Sequence, residues 1–522
     1  MARLRSRSLL ILAGSAVLGG IACSVPRSDL PVFFQTSAAQ NPRNLDAAVP
    51  STNVPAPGAK ARAAGAIEIA AGESIQSAVD HNPPGTSFAI LAGVHRRQQV
   101  IPKEGDTFIG EPGAILNGAM PLTEFEHSGA LWIASAQIQQ NTPHGECVAS
   151  AAGCQFAEDL FMDDVPLTHV TSLNRVDTNS YFFDYGNGKI YLGRDPAGHK
   201  VEVAATPTAF SGSASDVTIR GLAIEKYANR AQVGAIEARV GRHWIIEGNL
   251  VYRNHGVGIL GGVTSVIRGN RTLLNGQLGL AAIGAGILVE DNEVAFNNTR
   301  GFNHYWEAGG TKFVLTEDLM VRGNHVHHNH GPGLWTDIDN IRTTYEGNLV
   351  YQNDYVGIFH EISFDAIIRN NIVALNGKDQ DTWLWGAQIL LSTSQNVEVS
   401  GNTVYVHKDF GNGIGVIQQK RETGSLGVYR ARNNLIRDNS VTYEGAAGRS
   451  GAVADYDETG MLGGNNRFEH NSYHIPAGTK NDRWNWNGEM TFTEMTRAGK
   501  EAGGVVDQEI QPFVAARQTE GK

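Results

Sequence analysis

The sequence predicts an all-β solenoid of stacked parallel strands. Three observations carry this. A ten-residue pattern recurs from residue 245 onward, short apolar alternations rather than helical spacings fill it, and Gly or Asn closes each alternation. The pattern is clearest in IIEGNLVYRN (245–254), VIRGNRTLLN (266–275), LVEDNEVAFN (288–297), MVRGNHVHHN (320–329), TYEGNLVYQN (344–353) and IIRNNIVALN (367–376). Weaker copies centre on Asn402, Asn434 and Asn466. The first Asn recurs at steps of 21–24 residues, or 31–32 where insertions enter. A second Asn follows five residues later in eight of nine copies, His407 being the exception, so two Asn positions belong to the repeat. A period in the low twenties fits a coil of about three short strands. Asn tolerates left-handed backbone and its amide can bond the Asn of the next coil, so ladders are expected along the stack.

Over about residues 65–475 these repeats resemble the pectin-lyase-like class. The resemblance implies a single-stranded right-handed parallel β-helix solenoid, with an N-terminal capping helix and a small inserted β module read from the segments below. Residues 1–23 read as a signal peptide. Arg3, Arg5 and Arg7 precede the apolar run LLILAGSAVLGGIA, which is too short to span a bilayer. Gly20 and Ala22 form a small-x-small pattern before Cys23. The segment resembles a bacterial lipoprotein signal, departing from it at Gly20 where Leu is usual. Cys23 is therefore a lipidation candidate, and ordinary secretion is the alternative. Either way the expected location is secreted, periplasmic or cell-surface. Residues 24–64, rich in Pro, Ala and Ser without apolar period, read as a disordered linker.

The solenoid is expected over 65–480. At its start, ESIQSAVDHNPPG (73–85) predicts a short helix with Ile75, Ala78 and Val79 on its apolar side, covering the open end of the stack. Residues 146–206 read as the inserted module, with strands in LFMDDVPLTHV and YFFDYGNGKIYLG, the latter turning at Asn187-Gly188. Cys147 and Cys154 are expected to form a disulfide in an oxidising compartment. Residues 481–522, with Trp484 and Trp486, read as a C-terminal cap and tail.

GLWTDIDN (333–340) is followed one repeat later by GIFHEIS (357–363). Asp337 lies thirteen residues after Asn324, and Glu361 thirteen after Asn348. The same offset on adjacent coils puts both on one face, at the ~4.8 Å spacing of neighbouring strands. Gly262 and Ile283 fill that offset in earlier coils, so the pair does not belong to the repeat. Adjacent like charges repel, and a fold gains nothing from them, whereas a site needing one acid and one base or nucleophile does. Retaining glycosidases hold their carboxyls ~5–5.5 Å apart and inverting ones ~6.5–9.5 Å, so adjacent rungs match the retaining geometry. A Ca²⁺ site is the alternative use of such a pair.

WTD followed by a Glu in GIFHE is similar to the β-helix β-xylosidases, which also carry a β module early in the coil. The resemblance implies Asp337 as nucleophile and Glu361 as general acid/base. EISFDAI follows the family pattern only in part, which bears on the sugar. The insert TRGFNHYWEAGGTKF (299–313) supplies candidate sugar contacts in His304, Trp306, Glu307 and Lys312. Lys312, Trp335 and Phe359 share one offset and predict a stripe beside the carboxylates. His360 is a further candidate for substrate contact or for tuning the pair, a satisfied inward His being the alternative. Asp339 is expected to bond the Asn340 turn. In HVHHNH (325–330), His325 and His327 are expected on one face and His328 and His330 on the other, which splits any metal site.

The net charge of −11 argues against a nucleic-acid partner. The expected partner is an oligo- or polysaccharide, with no organic cofactor, Ca²⁺ optional, and membrane attachment only through Cys23. The leading expectation is an exported glycoside hydrolase. Its rivals are a polysaccharide lyase acting on a uronate-containing glycan, a non-catalytic glycan-binding protein, and a structural surface protein. Lyases of this fold use a Lys base on one coil, an Arg on the next and Ca²⁺; here Lys312 is followed on the next coil by Trp335 and Asp337 and no Arg, which counts against the lyase.

Overall fold

The computed structural model describes residues 65–514, apart from Asp381 and Lys480. The signal peptide, the 24–64 linker and Cys23 lie outside the described residues. Each coil contributes three short strands, each hydrogen-bonded in parallel to its counterpart one coil on. The coil holding Asp337 illustrates this with Leu334–Asp337, Ile341–Glu346 and Leu349–Tyr351. The next coil repeats it with Ile358–Glu361, Phe364–Arg369 and Ile372–Ala374. The first two sheets join where Glu317 pairs with Ile341, making 26 strands, and the third sheet has 13.

The coil closes because alternate residues are apolar and small turns separate them. Val326, Leu334, Tyr345, Val350, Ile358 and Ile368 point into one continuous axial core. Each such side chain stabilises the stack by about 1.5–3 kcal/mol relative to exposure. At the corners the Asn ladders replace apolar packing. Asn249 donates its backbone N–H and its Nδ2 to Oδ1 of Asn270, both at 3.0 Å. The same pair of bonds repeats through Asn292, Asn324, Asn348, Asn371 and Asn402. A second ladder runs Asn254, Asn275, Asn297, Asn329, Asn353 and Asn376, then passes to Gln388.

Two repeats lie in a different register from the one their sequence suggests. Asn439 and Asn471, not Asn434 and Asn466, continue the first ladder from Asn402. Asn434 and Asn466 instead bond each other at a separate corner, where Val397 N–H donates to Asn434. Both copies carry Asn five residues apart, so only stacking distinguishes the two assignments. Glu501 ends the first ladder by accepting from the backbone N–H and Nδ2 of Asn471.

At the N-terminal end the helix Ile75–His81 buries Ile75 and Val79 over the first coil, with Ser74 capping it through the Ser77 N–H. The inserted module starts at Ala119, earlier than 146. Ala119–Leu122 pairs with Val201–Ala204, and Leu131–Ala134 pairs with Lys189–Leu192. The third sheet meanwhile passes directly from Ala114–Asn117 to Ala223–Glu225. The early strands escape sequence reading because they are short, occur once and pair with partners far along the chain. Residues beyond 480 also form more than a cap. Trp484–Trp486, Glu501–Ala502 and Val505–Asp507 lie in parallel on the three sheets as a last coil, and the helix Phe492–Arg497 buries Met495 between them.

Candidate active site

Strand register places the opening pair of carboxylates. Trp335 pairs with Phe359 and Thr336 with His360, so Asp337 and Glu361 follow side by side. One coil earlier, Phe313 pairs with Thr336, which sets Lys312 beside Trp335. Alternation then sorts the side chains. Leu334 and Ile358 face the core, and Trp335, Asp337, Phe359 and Glu361 face out.

The two carboxylates are nearly buried, Asp337 at 8% exposure and Glu361 at 6%, and their surroundings differ. Lys312 Nζ lies 2.9 Å from Asp337 Oδ2 and 3.4 Å from Glu307 Oε2. Burial works against the Lys312 charge, but Asp337 and Glu307 outweigh it and hold the ammonium above the usual lysine range. Glu361 accepts from Trp335 Nε1–H at 3.2 Å on Oε2, and Arg421 Nη2 pairs with Oε1. Burial, with Asp337 alongside, pushes the Glu361 carboxyl up to about 7 against the opposing pull of Arg421 and Lys312. One carboxylate is thus neutralised by a fixed cation, and its neighbour exchanges a proton near neutrality.

Comparison with known proteins agrees with this architecture. Residues 234–404 match a family model described as a right handed beta helix region. The chain is a right-handed parallel β-helix. The structure of XylC in complex with xylose is 16% identical, covering 85% of this chain and 84% of that one, with a TM-score of 0.63. The A-module of the Azotobacter vinelandii mannuronan C-5 epimerase AlgE6 is 13% identical, covering 84% and 95%, at 0.46. DFA-IIIase from Arthrobacter chlorophenolicus A6 is 12% identical, covering 84% and 92%, at 0.41. A search of curated proteins found no match.

The β-helix places the remaining predicted residues unequally. The stripe exists, but it is covered. Lys312 Nζ sits 4.0 Å over the Trp335 ring, and Phe359 stacks parallel to that ring at 5.7 Å. Leu384 and Trp385 of the 377–387 insertion pack with them. Neither face of Trp335 is open to a sugar ring, so its contribution is the Nε1–H on Glu361. Phe359, 3% exposed, is packing beneath the site, not sugar contact. His360 is a correction of the same kind. It faces the interior, fully buried, with Nδ1 2.7 Å from Thr336 Oγ1. Burial holds its ring neutral, pushed down to about 3.

Glu307 joins the site, accepting from Gln232 Nε2 at 2.8 Å as well as facing Lys312. Trp306 does not. It packs with Phe302 and His144 beside the disulfide. His304 packs at a tilt against Tyr305 and Tyr355, and burial keeps it neutral, pushed down to about 4. Tyr355 meets Phe359 edge-on, so His304 belongs to the wall around the stripe. Cys147 and Cys154 form a disulfide with Cα atoms 5.7 Å apart. Val148 N–H donates to Gly301 O and Asn303 N–H to Glu146 O, so this loop holds the 299–307 insertion.

Asp339 does not bond the Asn340 turn. Its carboxylate accepts from Ser425 N–H and Oγ–H, both at 2.6 Å, and from Tyr429 OH at 2.7 Å. Asn340 Nδ2 donates instead to Asp337 O. In HVHHNH, His325 and His327 share a face as expected, their rings 4.4 Å apart, but the left-handed His328 (φ 54) places its Nδ1 2.8 Å from His327 Nδ1 and does not join His330, which pairs with Asp354. Among the described residues no group of three or more His, Cys, Asp or Glu side chains converges to hold a metal. Arg421 escaped sequence reading. It reaches Glu361 from an insertion 60 residues away, and its signal was the cluster QKRE within a lengthened repeat.

Proposed function

We propose that this β-helix is an exported carbohydrate-active enzyme, a retaining glycoside hydrolase. The observation that carries the reading is the unequal treatment of two adjacent carboxylates: Asp337 against a buried ammonium, Glu361 with a proton affinity near neutrality. Asp337 attacks the anomeric carbon while Glu361 gives its proton to the leaving oxygen. Glu361 then takes a proton from water, which displaces the sugar from Asp337. The ~4.8 Å spacing of the two strands that carry them favours the close carboxyl separation of retaining enzymes. Lys312 and Glu307 hold the nucleophile's side of the site. No organic cofactor or metal enters these steps. The substrate is an oligo- or polysaccharide, and the fold shared with XylC, whose structure holds xylose, makes xylosides the first to try. The disulfide supports an oxidising, secreted, periplasmic or cell-surface location, with Cys23 as the possible point of lipid attachment.

A lyase acting on a uronate is the second reading, favoured by the two cations Lys312 and Arg421 standing at the two carboxylates. A lysine that acts as the lyase base must be uncharged, however, and Lys312 is held charged between Asp337 and Glu307. The deciding experiment is hydrolysis of aryl glycosides and glycans, xylosides included, by wild type, Asp337→Ala and Glu361→Gln. Wild-type turnover with retained anomeric configuration, reduced about 10²–10⁴-fold or more in both variants at unchanged circular dichroism, is expected. Turnover that survives both substitutions sinks the proposal. Release of an ultraviolet-absorbing unsaturated uronate establishes the lyase instead.

A further inference from the structure

We infer that Arg421 is a positioning residue for the Glu361 proton: by occupying Oε1 it leaves Oε2 as the oxygen from which the proton departs and to which it returns. The inference rests on the carboxylate-pair reading above.

The geometry comes from an arm spanning 419–430, between the strands Asn412–Gln418 and Leu435–Arg437. One end of the arm is fastened to the coil that follows Glu361, the other to the coil that carries Asp337. Near Arg421, Gln419 Oε1 accepts from Arg421 Nη2 at 3.0 Å and from Ser392 Oγ at 3.2 Å. Ser392 is the residue paired in register with Glu361 on the following coil. Gln419 N–H also donates to Thr393 Oγ1 at 2.9 Å. Farther along, Asp339 clasps Ser425 and Tyr429, and Asp339 stands two residues after Asp337. These polar ties fix the arm on either side of the two reacting strands and hold Arg421 against Glu361.

The two oxygens of Glu361 are therefore unlike. Oε1 meets a guanidinium, which cannot give up its own proton and disfavours another on the oxygen it holds. Oε2 accepts from the neutral indole N–H of Trp335 and keeps a lone pair for a proton. In the first step the Oε2–H bond breaks, the leaving oxygen takes the proton and the glycosidic bond gives way to the Asp337 ester. In the second step Oε2 takes a proton from the attacking water. Charged and titratable groups facing Glu361 from every side are Asp337, Lys312 and, behind Lys312, Glu307 on the earlier coils, and Arg421 on the arm. At the base of the arm stand Asp339 with Tyr429, and Asp455 lies 3.4 Å from Gln419. Asp337 and burial strengthen the proton's hold, and Arg421 is the largest influence that loosens it.

The test follows the Glu361 carboxyl by infrared spectroscopy against pH, with Glu361→Gln as the blank. Wild type is compared with Arg421→Met, Arg421→Lys and Asp339→Asn, each checked by circular dichroism. The Arg421→Met midpoint is expected about one pH unit or more above wild type, since a close cation depresses a carboxylate by 1–3 units. The alkaline limb of kcat/KM moves with it. Arg421→Lys restores most of both, and Asp339→Asn, which loosens the arm, moves both in the same direction as Arg421→Met. A midpoint unchanged in Arg421→Met and in Asp339→Asn overturns the inference. Where Arg421→Met fails to fold, Arg421→Lys and Asp339→Asn decide: a midpoint unmoved in both overturns it. Failure of the hydrolase reading shows elsewhere, as turnover persisting in Glu361→Gln, and leaves the infrared titration to judge Arg421 by itself.

Discussion

Glu361 links the acidity of the site to the stability of the coil. Its carboxyl is pushed from 4.5 up to about 7 by burial and Asp337, so the folded state binds its proton more tightly than the unfolded chain. That contribution is fully present below about pH 4.5 and lost as pH rises through about 7. Glu361→Gln cannot ionise, so its melting temperature relative to wild type is expected to rise between about pH 5 and pH 8. Melting curves at the two values check this, and a constant difference contradicts it. Activity has the same sign, because the protonated acid is the working form: kcat/KM is expected to fall above about pH 7. Lys312→Met leaves Asp337 buried without its cation. A loss of about 3–5 kcal/mol in denaturant unfolding is expected, together with loss of turnover. The two carboxylates were legible in the sequence because their offset from Asn324 and Asn348 is a matter of counting. Arg421 was not, because nothing in a linear repeat says where an insertion folds back. His360 was misplaced for a different reason. Strand alternation already sends it inward beside Thr336, and its closeness to Glu361 in sequence outweighed that period of two.

The ladders and the disulfide loop answer for the coil's shape. Asn292 spends its amide on Asn324 Oδ1 and Ile267 O while its Oδ1 serves Asn270, so Asn292→Ala strands buried partners on both neighbours. A loss of about 1–3 kcal/mol for each orphaned group is expected, read from the denaturant midpoint. Cys147→Ser opens a loop whose closure is worth about 2–3 kcal/mol by chain entropy. Because this loop holds residues 301–303, KM is expected to rise more than kcat falls. At this scale the sequence was readable where each element repeats. The step of 21–24 residues located the coils, and the helix Ile75–His81 followed from its apolar spacing. It was unreadable where an element occurs once. The strands Ala119–Leu122 and Leu131–Ala134 pair with partners far along the chain, which no local pattern records. The register of Asn439 and Asn471 was hidden because two Asn five residues apart look the same from either end.

As a whole the molecule is a stack in which each coil touches its neighbours and the ends are exceptional. The helix Ile75–His81 covers the strand Ile67–Ile69 end, whose backbone would otherwise pair with another chain. A chain starting at residue 83 loses the helix and that strand together and bares the edge of Ser87–Ile90; it is expected to self-associate, visible as a larger species in light scattering, while the far coils keep their circular dichroism. The first ladder adds a property that no single coil has. In every rung from Asn249 to Asn471 the side-chain oxygen faces the coil before and the NH₂ group faces the coil after. The amide dipoles therefore add head to tail, as peptide units do in a helix, and each bond polarises the next. The column is electrically positive toward the C-terminal coils, and there it meets the side chain of Glu501 with both oxygens accepting. An anion thus closes the positive pole of a wire of neutral side chains, and the solenoid has an electrical direction as well as a winding one.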